Sequence, residues 1–210
     1  STAGGQPIFT HKVANYPGIT IDVGSGALRS DTRAQVWDFP GTYSLNAISG
    51  EEEVAIEALR SALADERPAV VAMVLDATRL EKGLTYCLQV AREAARSKKP
   101  FLVLLNMMDI LEHNELAIDL DGLCESLGVP VLPVSARTGD GVEAAEVALL
   151  SISAAQSPWA DTPDVLIEGS AQQIADRFVP QGELLVRRQA KIDNWLLGTA
   201  SGGLAFVVIM

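Results

Sequence analysis

Three short apolar runs in this chain each end in a polar segment, and this repeated arrangement restricts the fold more than any other feature. The runs are residues 34–37 (AQVW), 101–105 (FLVLL) and 129–134 (VPVLPV). The second is apolar throughout, which is typical of a strand in a parallel sheet that is covered on both faces. Helical patterns alternate with the runs. The sequence therefore predicts an α/β fold with a mostly parallel sheet and helices on both faces.

The same patterning predicts the separate elements. A strand hairpin comes first, with a polar turn at residues 29–33, and strands and helices then alternate. The predicted strands are 20–28, 34–37, 69–75, 101–105 and 130–134, and the predicted helices are 51–65, 84–97, 120–127 and 142–153.

The polar segment after residues 101–105 is Asn-Met-Met-Asp, residues 106–109. It places an amide and a carboxylate at the carboxyl edge of the sheet, where α/β folds bind ligands. A carboxylate can accept hydrogen bonds from both N1–H and the exocyclic amine of guanine, and adenine has no matching pair of donors. Asn106, Met107 and Asp109 are therefore candidates for binding guanine, with Met107 against the purine face. Loop capping is the alternative, since Asn and Asp favour turns and N-caps.

Residues 38–41 (Asp-Phe-Pro-Gly) have the Asp-x-x-Gly form with which GTPases sense a γ-phosphate. Asp38 would reach Mg²⁺ through water, and the Gly41 N–H can bond the phosphate because no side chain blocks its approach. A Pro-Gly turn is the alternative. Thr20 can offer a hydroxyl to Mg²⁺ from a mobile loop at residues 12–20. Its alternative is a β-branched residue that opens a strand.

Residues 135–137 (Ser-Ala-Arg) follow the run 129–134 and match a segment whose backbone contacts the guanine edge. Ser135, Ala136 and Arg137 are therefore further candidates for nucleotide binding. A Ser-Ala pair alone carries almost no information. Together with Asp38 and Asn106, in this order and each near the end of a strand, it predicts a nucleotide-binding α/β domain.

The longer stretches around these motifs resemble the cytoplasmic G domain of the FeoB family of ferrous iron transporters. The likeness covers most of residues 13–150 and rests on residues 15–20 (NYPGIT), 38–45 (DFPGTYSL), 74–81 (VLDATRLE) and 106–109 (NMMD). It implies a P-loop GTPase-like fold and GTP hydrolysis that regulates or drives Fe²⁺ uptake. The implied ligands are GTP or GDP, Mg²⁺ held by Thr20 and Asp38, and K⁺. Gly41 and Thr42 are the implied catalytic positions.

The resemblance also implies partners and a location. The partners are guanine nucleotide, the transporter's own membrane domain and small accessory transport proteins, and the location is the cytoplasmic face of the bacterial inner membrane. Many GTPases carry a Gln after Asp-x-x-Gly to orient the attacking water, whereas Thr42 stands there in this chain. Because a Thr side chain reaches less far, we expect slow intrinsic turnover.

The sequence contains no Gly-x-x-x-x-Gly-Lys-Ser/Thr phosphate loop, which normally wraps the β-phosphate with backbone N–H groups. We therefore expect a fragment that lacks about 20 to 25 N-terminal residues, the usual length of a strand-loop-helix unit. The absent strand would lie between the strands that end at Asp38 and near Asp76. Unpartnered backbone groups there would cost about 1 to 3 kcal/mol each. Weak nucleotide binding and marginal folding are the expected results.

Residues 195–210 carry no charge, and the basic residues Arg187, Arg188 and Lys191 precede them. This arrangement predicts the start of a transmembrane segment, with a buried helix or strand as the alternative. The predicted division is a G domain at 1–155, a linker at 156–163, a helical regulatory subdomain at 164–192 and the transmembrane start at 193–210.

Charge and cysteine content restrict the function further. The net charge is −11 and no basic stripe is present, which argues against a nucleic-acid partner. Cys87 and Cys124 lack metal-ligand spacing and are predicted to be buried thiols in helices. Two other functions stay open at this point: a soluble GTPase of the ribosome-assembly or tRNA-modification kind, and a nucleotide-sensing module that does not hydrolyse GTP. The sequence also permits a degenerate GTPase that has lost its phosphate loop.

Overall fold

The computed structural model describes residues 9–16, 19–39, 45, 50–67, 69–153 and 157–180. Within these ranges the chain forms six strands and six helices. The strands are β1 (Phe9–Tyr16), β2 (Ile19–Ala27), β3 (Gln35–Asp38), β4 (Val71–Asp76), β5 (Phe101–Asn106) and β6 (Val131–Pro133). The helices are α1 (Gly50–Ala64), α2 (Leu80–Arg96), α3 (Met108–His113), α4 (Leu120–Leu127), α5 (Val142–Ser151) and α6 (Asp164–Arg177).

The described strands form two sheets instead of the single, mostly parallel sheet that the sequence predicts. Strands β4, β5 and β6 are parallel, with β5 in the middle, whereas β1, β2 and β3 are antiparallel, with β2 in the middle. The division falls between β3 and β4. Neither of these two strands has the other as its hydrogen-bonded neighbour.

The first strand corrects the prediction for the beginning of the chain. Residues 12–20 were expected to form a mobile loop after a helix, but residues 9–16 form β1, which pairs antiparallel with β2 from Tyr16 opposite Ile19 to Phe9 opposite Ser25. The register shifts between Lys12 and Ala14. Aromatic and β-branched residues suit a pleated strand, and an antiparallel partner satisfies its backbone groups. Thr20 lies within β2, in agreement with the predicted strand at 20–28.

Helix α2 begins at Leu80, four residues before its predicted start at Leu84. The Asp76 carboxylate accepts hydrogen bonds from the N–H and hydroxyl of Thr78, at 2.8 and 2.7 Å, just before the helix. Gly83 lies in the first turn of α2, where the helix approaches β4 closely. A Cβ at this glycine would stand 2.6 Å from Leu75 Cδ2. The glycine therefore serves packing and does not mark the helix boundary.

The core lies between the parallel sheet and the buried face of α2. Strand β5 is almost fully buried, with Leu102, Val103 and Leu105 at 0% exposure. The thiol of Cys87 is part of this core, and burial raises its pKa to about 12. Cys124 is half-buried in α4, and its thiol donates to the Val129 carbonyl. Both cysteines therefore lie in helices, as predicted, but only Cys87 is fully buried.

A buried amide on α2 holds the chain segment that follows β3. Gln89 is 0% exposed, and its Oε1 accepts a hydrogen bond of 2.7 Å from the backbone N–H of Leu45, which is itself buried. Leu45 is the described residue within the segment 40–49. The bond therefore fixes that segment to α2 at one defined point.

We expect Gln89→Leu to destabilise the chain by about 1 to 3 kcal/mol, because it leaves the buried Leu45 N–H without its acceptor. The matched control is Gln172→Leu, the same change at an exposed position of α6. Urea unfolding and hydrogen exchange at the Leu45 amide measure the two effects. Unchanged exchange at Leu45 would contradict the assigned role of Gln89.

Helix α6 packs against α2 and continues the same core. Its buried residues include Ile167, Ala171 and Ile174. Arg92 of α2, 7% exposed, contacts the carboxylate of Asp164, the first residue of α6, at 2.8 Å and donates to the Thr162 carbonyl just before that helix at 3.2 Å. The predicted helical subdomain at 164–192 thus begins with a helix that shares the core of the preceding domain, and its remainder from residue 181 lies outside the described residues.

The predicted boundaries between the domains remain predictions. Residues 154–156, which include the predicted boundary between the G domain and the linker, and the uncharged stretch 195–210 lie outside the described ranges. In the part of the chain that the structure describes, no helix is both long enough and apolar enough to span a membrane.

Candidate nucleotide-binding site

The candidate residues follow strands β5 and β6, which bring them to one edge of the parallel sheet. In the register of the sheet, Asp76 stands opposite Asn106, and Leu105 stands opposite Pro133. The carboxyl ends of β4, β5 and β6 therefore meet at the same edge. The Asn106 side-chain oxygen accepts a hydrogen bond of 3.0 Å from the Ala136 N–H. This bond joins the end of β5 to the loop that follows β6.

Met107 stands between β5 and the short helix α3, which the sequence did not predict. Its φ of 70° lies in the left-handed region, which a residue with a side chain adopts infrequently. The Met107 carbonyl accepts the Ile110 N–H at 3.0 Å at the start of α3. Backbone strain of this kind tends to occur at ligand sites. The left-handed residue thus ends β5 and starts the helical turn that carries Asp109.

The Asp109 carboxylate is held by two side chains from the loop after β6. The buried hydroxyl of Ser135 donates to Oδ1 at 2.8 Å. The Arg137 guanidinium donates from Nε to Oδ2 at 2.7 Å, and its Nη2 contacts the same oxygen. The Ser135 bond is the main cause that holds the pKa of Asp109 below its ordinary value; Arg137 lowers it further, against partial desolvation. At neutral pH this group is therefore an ionised carboxylate that only accepts hydrogen bonds.

The loop that supplies Ser135 is closed by its own backbone. The Ser135 N–H donates to the Asp140 carbonyl at 2.9 Å, and the Gly139 N–H donates to the Ser135 carbonyl at 2.8 Å. Gly139 and Gly141 have φ values of 89° and 74°, which favour glycine. The sequence analysis did not assign these two glycines. The available signal for a turn was the Gly-Asp-Gly segment before α5, because it contains the dipeptide Asp-Gly, which marks turns.

A cleft of ≈ 430 Å³ lies beside these groups. Five of its lining residues are the predicted candidates Asn106, Met107, Asp109, Ala136 and Arg137, and the sixth is Ile110, which the sequence analysis missed. The lining combines apolar side chains with a few polar groups. The cleft combines a carboxylate with partly exposed apolar side chains. A flat ring with a polar edge can contact both kinds of group.

The predicted metal ligands do not come together in this structure. Asp38 ends β3 and stands opposite Gly24 of β2, whereas Thr20 lies four residues away along β2. At about 3.4 Å per residue, the two are separated by roughly 14 Å along the strand. The binding of Mg²⁺ by Thr20 and Asp38, with oxygen ligands at about 2 Å, stays a prediction. Gly41 and Thr42 lie outside the described residues, and no acidic, His and Cys cluster suited to a metal occurs among the residues that are described.

Comparison with known proteins decides the family. The family described as "Ferrous iron transport protein B" matches residues 8–149. The chain belongs to the FeoB family. The sequence-based recognition of FeoB is thereby confirmed.

The relatives and solved structures are consistent with that membership. The "Fe(2+) transporter FeoB" of Leptospira biflexa is 34% identical over 135 residues, which is 64% of this chain and 19% of the relative. The protein of that name from Escherichia coli K12 is 34% identical over 143 residues, 66% of this chain and 18% of the relative. The chain thus spans about a fifth of the length of the curated relatives that it matches.

Among solved structures, the cytosolic domain of FeoB from L. pneumophila has a TM-score of 0.55 and 32% identity, over 70% of this chain and 55% of that chain. The NFeoB structure from S. thermophilus, bound to GDP·AlF₄⁻ and K⁺, has a TM-score of 0.54 and 31% identity, over 68% of this chain and 52% of that chain. The predicted α/β fold of the GTPase-like G domain is therefore confirmed.

Proposed function

We propose that this FeoB-family chain contains the guanine-binding part of a GTPase domain that serves a ferrous iron transporter. The observation that carries the proposal is the Asp109 carboxylate at the edge of the cleft. It accepts a hydrogen bond from Ser135, and the next residue of that loop, Ala136, donates its N–H to Asn106. An ionised carboxylate in this position can accept the two adjacent donors of guanine. Relatives at about a third identity that are named Fe(2+) transporters support the link to iron.

Each of the other groups has a stated role in this proposal. Met107 and Ile110 offer apolar contact to the purine, because both line the cleft and remain partly exposed. The Asn106 amide oxygen holds the Ala136 backbone in place, and Ser135 fixes the carboxylate. Hydrogen bonds within the protein therefore set the positions of the Asp109 carboxylate and of the Ala136 backbone before the base binds.

GTP hydrolysis is the activity that we propose for the larger protein. In line with P-loop GTPases, it would proceed by attack of water on the γ-phosphate, with position and charge as the main contributions of the protein. Gly41 and Thr42 are the proposed catalytic positions. The proposed role is to regulate or drive Fe²⁺ uptake, together with the membrane domain and small accessory transport proteins, at the cytoplasmic face of the bacterial inner membrane. The neighbour bound to GDP·AlF₄⁻ and K⁺ supports K⁺ as a ligand.

The test of base reading uses nucleosides, because the sequence lacks a phosphate loop. We expect guanosine to bind the chain more tightly than adenosine, and Asp109→Asn to weaken guanosine binding at least about tenfold, as the loss of bonds to a charged acceptor implies. The same variant should gain affinity for xanthosine, since an amide can donate to the carbonyl at position 2 of that base. Titrations followed by NMR of the backbone amides near Asp109 and Ser135 measure all three.

The control is Asp121→Asn, which removes an exposed carboxylate from α4. It should leave the affinities for guanosine, adenosine and xanthosine unchanged. Equal affinity of the unsubstituted chain for guanosine and adenosine would disprove the assignment of Asp109 as a guanine reader.

A further inference from the structure

The acceptor sites of Asp109 are nearly all in use. A carboxylate offers about four lone-pair sites, two on each oxygen. Ser135 takes one site on Oδ1, and Arg137 approaches Oδ2 with both Nε and Nη2. The two donors of Arg137 leave no site on Oδ2, whereas guanine brings two adjacent donors that need one site on each oxygen. A guanine base cannot pair fully with Asp109 while Arg137 keeps this position.

The group that occupies Oδ2 resembles the ligand chemically. The N1–H and the exocyclic amine of guanine are part of a guanidine unit within the ring, and the Arg137 side chain ends in a guanidinium with the same pair of neighbouring N–H donors. Arg137 also lines the cleft. The Arg137 guanidinium therefore presents to Asp109 the same kind of donor pair as the guanine edge that the carboxylate is proposed to recognise.

We propose that Arg137 is an internal competitor for the guanine base, which must leave Oδ2 before the base can pair with Asp109. This inference rests on the proposed function of Asp109. The Arg137 side chain is 73% exposed, so it can move into solvent without disturbing the core. Ser135, by contrast, is 1% exposed and keeps the carboxylate oriented when the arginine leaves.

The competition has a specific consequence for selectivity. Inosine lacks the exocyclic amine and brings a single donor, so it does not need an acceptor site on each oxygen and makes no demand on Oδ2. Guanosine must displace Arg137. Arg137 therefore weakens guanosine binding more than inosine binding, and narrows the preference between the two nucleosides.

The experiment measures guanosine and inosine binding by NMR titration for the chain and for Arg137→Ala. We expect Arg137→Ala to bind guanosine about two- to fivefold more tightly, as the range for exposed ion pairs permits, with little change for inosine. Both nucleosides are neutral. Added salt should therefore strengthen guanosine binding to the unsubstituted chain, where it screens the ion pair, and should have no such effect in the variant.

The matched control is Arg33→Ala, which breaks another exposed Arg–Asp pair, to Asp31 at 2.7 Å, in the turn between β2 and β3. It should change neither affinity. If Arg137→Ala weakens guanosine binding or leaves it unchanged, the competition is disproved, while guanosine selectivity of the unsubstituted chain still upholds the proposed function. If neither the unsubstituted chain nor Arg137→Ala binds guanosine, both the competition and the proposed function are disproved.

Discussion

Ile167→Ala is expected to lower the free energy of unfolding of the whole described core by about 2 to 5 kcal/mol. Ile167 is 0% exposed on α6 and belongs to the same buried cluster as the α2 residues Leu84 and Leu88. Truncation to Ala leaves a cavity at the contact between the two helices. In a chain of the marginal stability that we expect, a loss of this size would unfold a large fraction of the molecules at room temperature.

Urea unfolding, followed both by circular dichroism and by hydrogen exchange at β5, measures this effect. The control is Leu166→Ala at the neighbouring position, which is 59% exposed and should change the stability by less than about 0.5 kcal/mol. If α6 belonged to a subdomain that folds separately, Ile167→Ala would loosen α6 and leave the exchange of the β5 amides unaltered. That result would contradict a core shared by α2 and α6.

Gly141→Ala is expected to destabilise the protein by more than about 3 kcal/mol and to displace the loop that carries Ser135, Ala136 and Arg137. The φ of Gly141 is 74°, and an added Cβ would stand 2.2 Å from the backbone carbonyl oxygen of Pro133. A backbone oxygen at the end of β6 cannot move aside without disturbing the sheet. The substitution therefore combines left-handed strain with a steric clash.

Gly139→Ala separates these two causes. This glycine also has a positive φ, of 89°, but nothing lies within 4 Å of the position of a Cβ. We expect it to cost only about 1 to 2 kcal/mol, the penalty for a side chain in the left-handed region. Unfolding experiments and the NMR shifts of Ser135 and Asp109 measure both variants. Equal effects of the two substitutions would show that the contact with Pro133 is not what requires glycine at position 141.

Much of the parallel sheet and of its edge could be predicted from the sequence. The apolar run 101–105 and the helix at 120–127 have patterns that depend on neighbouring residues in the chain, and the structure places β5 and α4 there. The polar residues that follow such strands must lie at the carboxyl edge, because successive parallel strands point the same way. This is why Asn106, Asp109 and Ala136 could be expected at one site, and the structure brings them together.

The failures come from features that local patterns do not specify. Strand β1 was missed because its residues become a strand by pairing with β2. Helix α3 was missed because its six residues are too few for a helical period and because it starts from a left-handed Met107. The register of β1, β2 and β3 is likewise set by pairing between strands and not by a local pattern.

The sequence by itself determined the family, the alternation of strands and helices, and the edge of the sheet at which Asn106 and Asp109 lie. Those properties follow from residue types and from spacings of a few positions. Only the tertiary structure decided that α6 closes over α2, that Gln89 holds Leu45, and that Arg137 occupies the carboxylate of Asp109. Each of these contacts joins residues that are distant along the chain or on different elements. Their partners are chosen by packing and by the need of buried polar groups for hydrogen bonds, which no local pattern records.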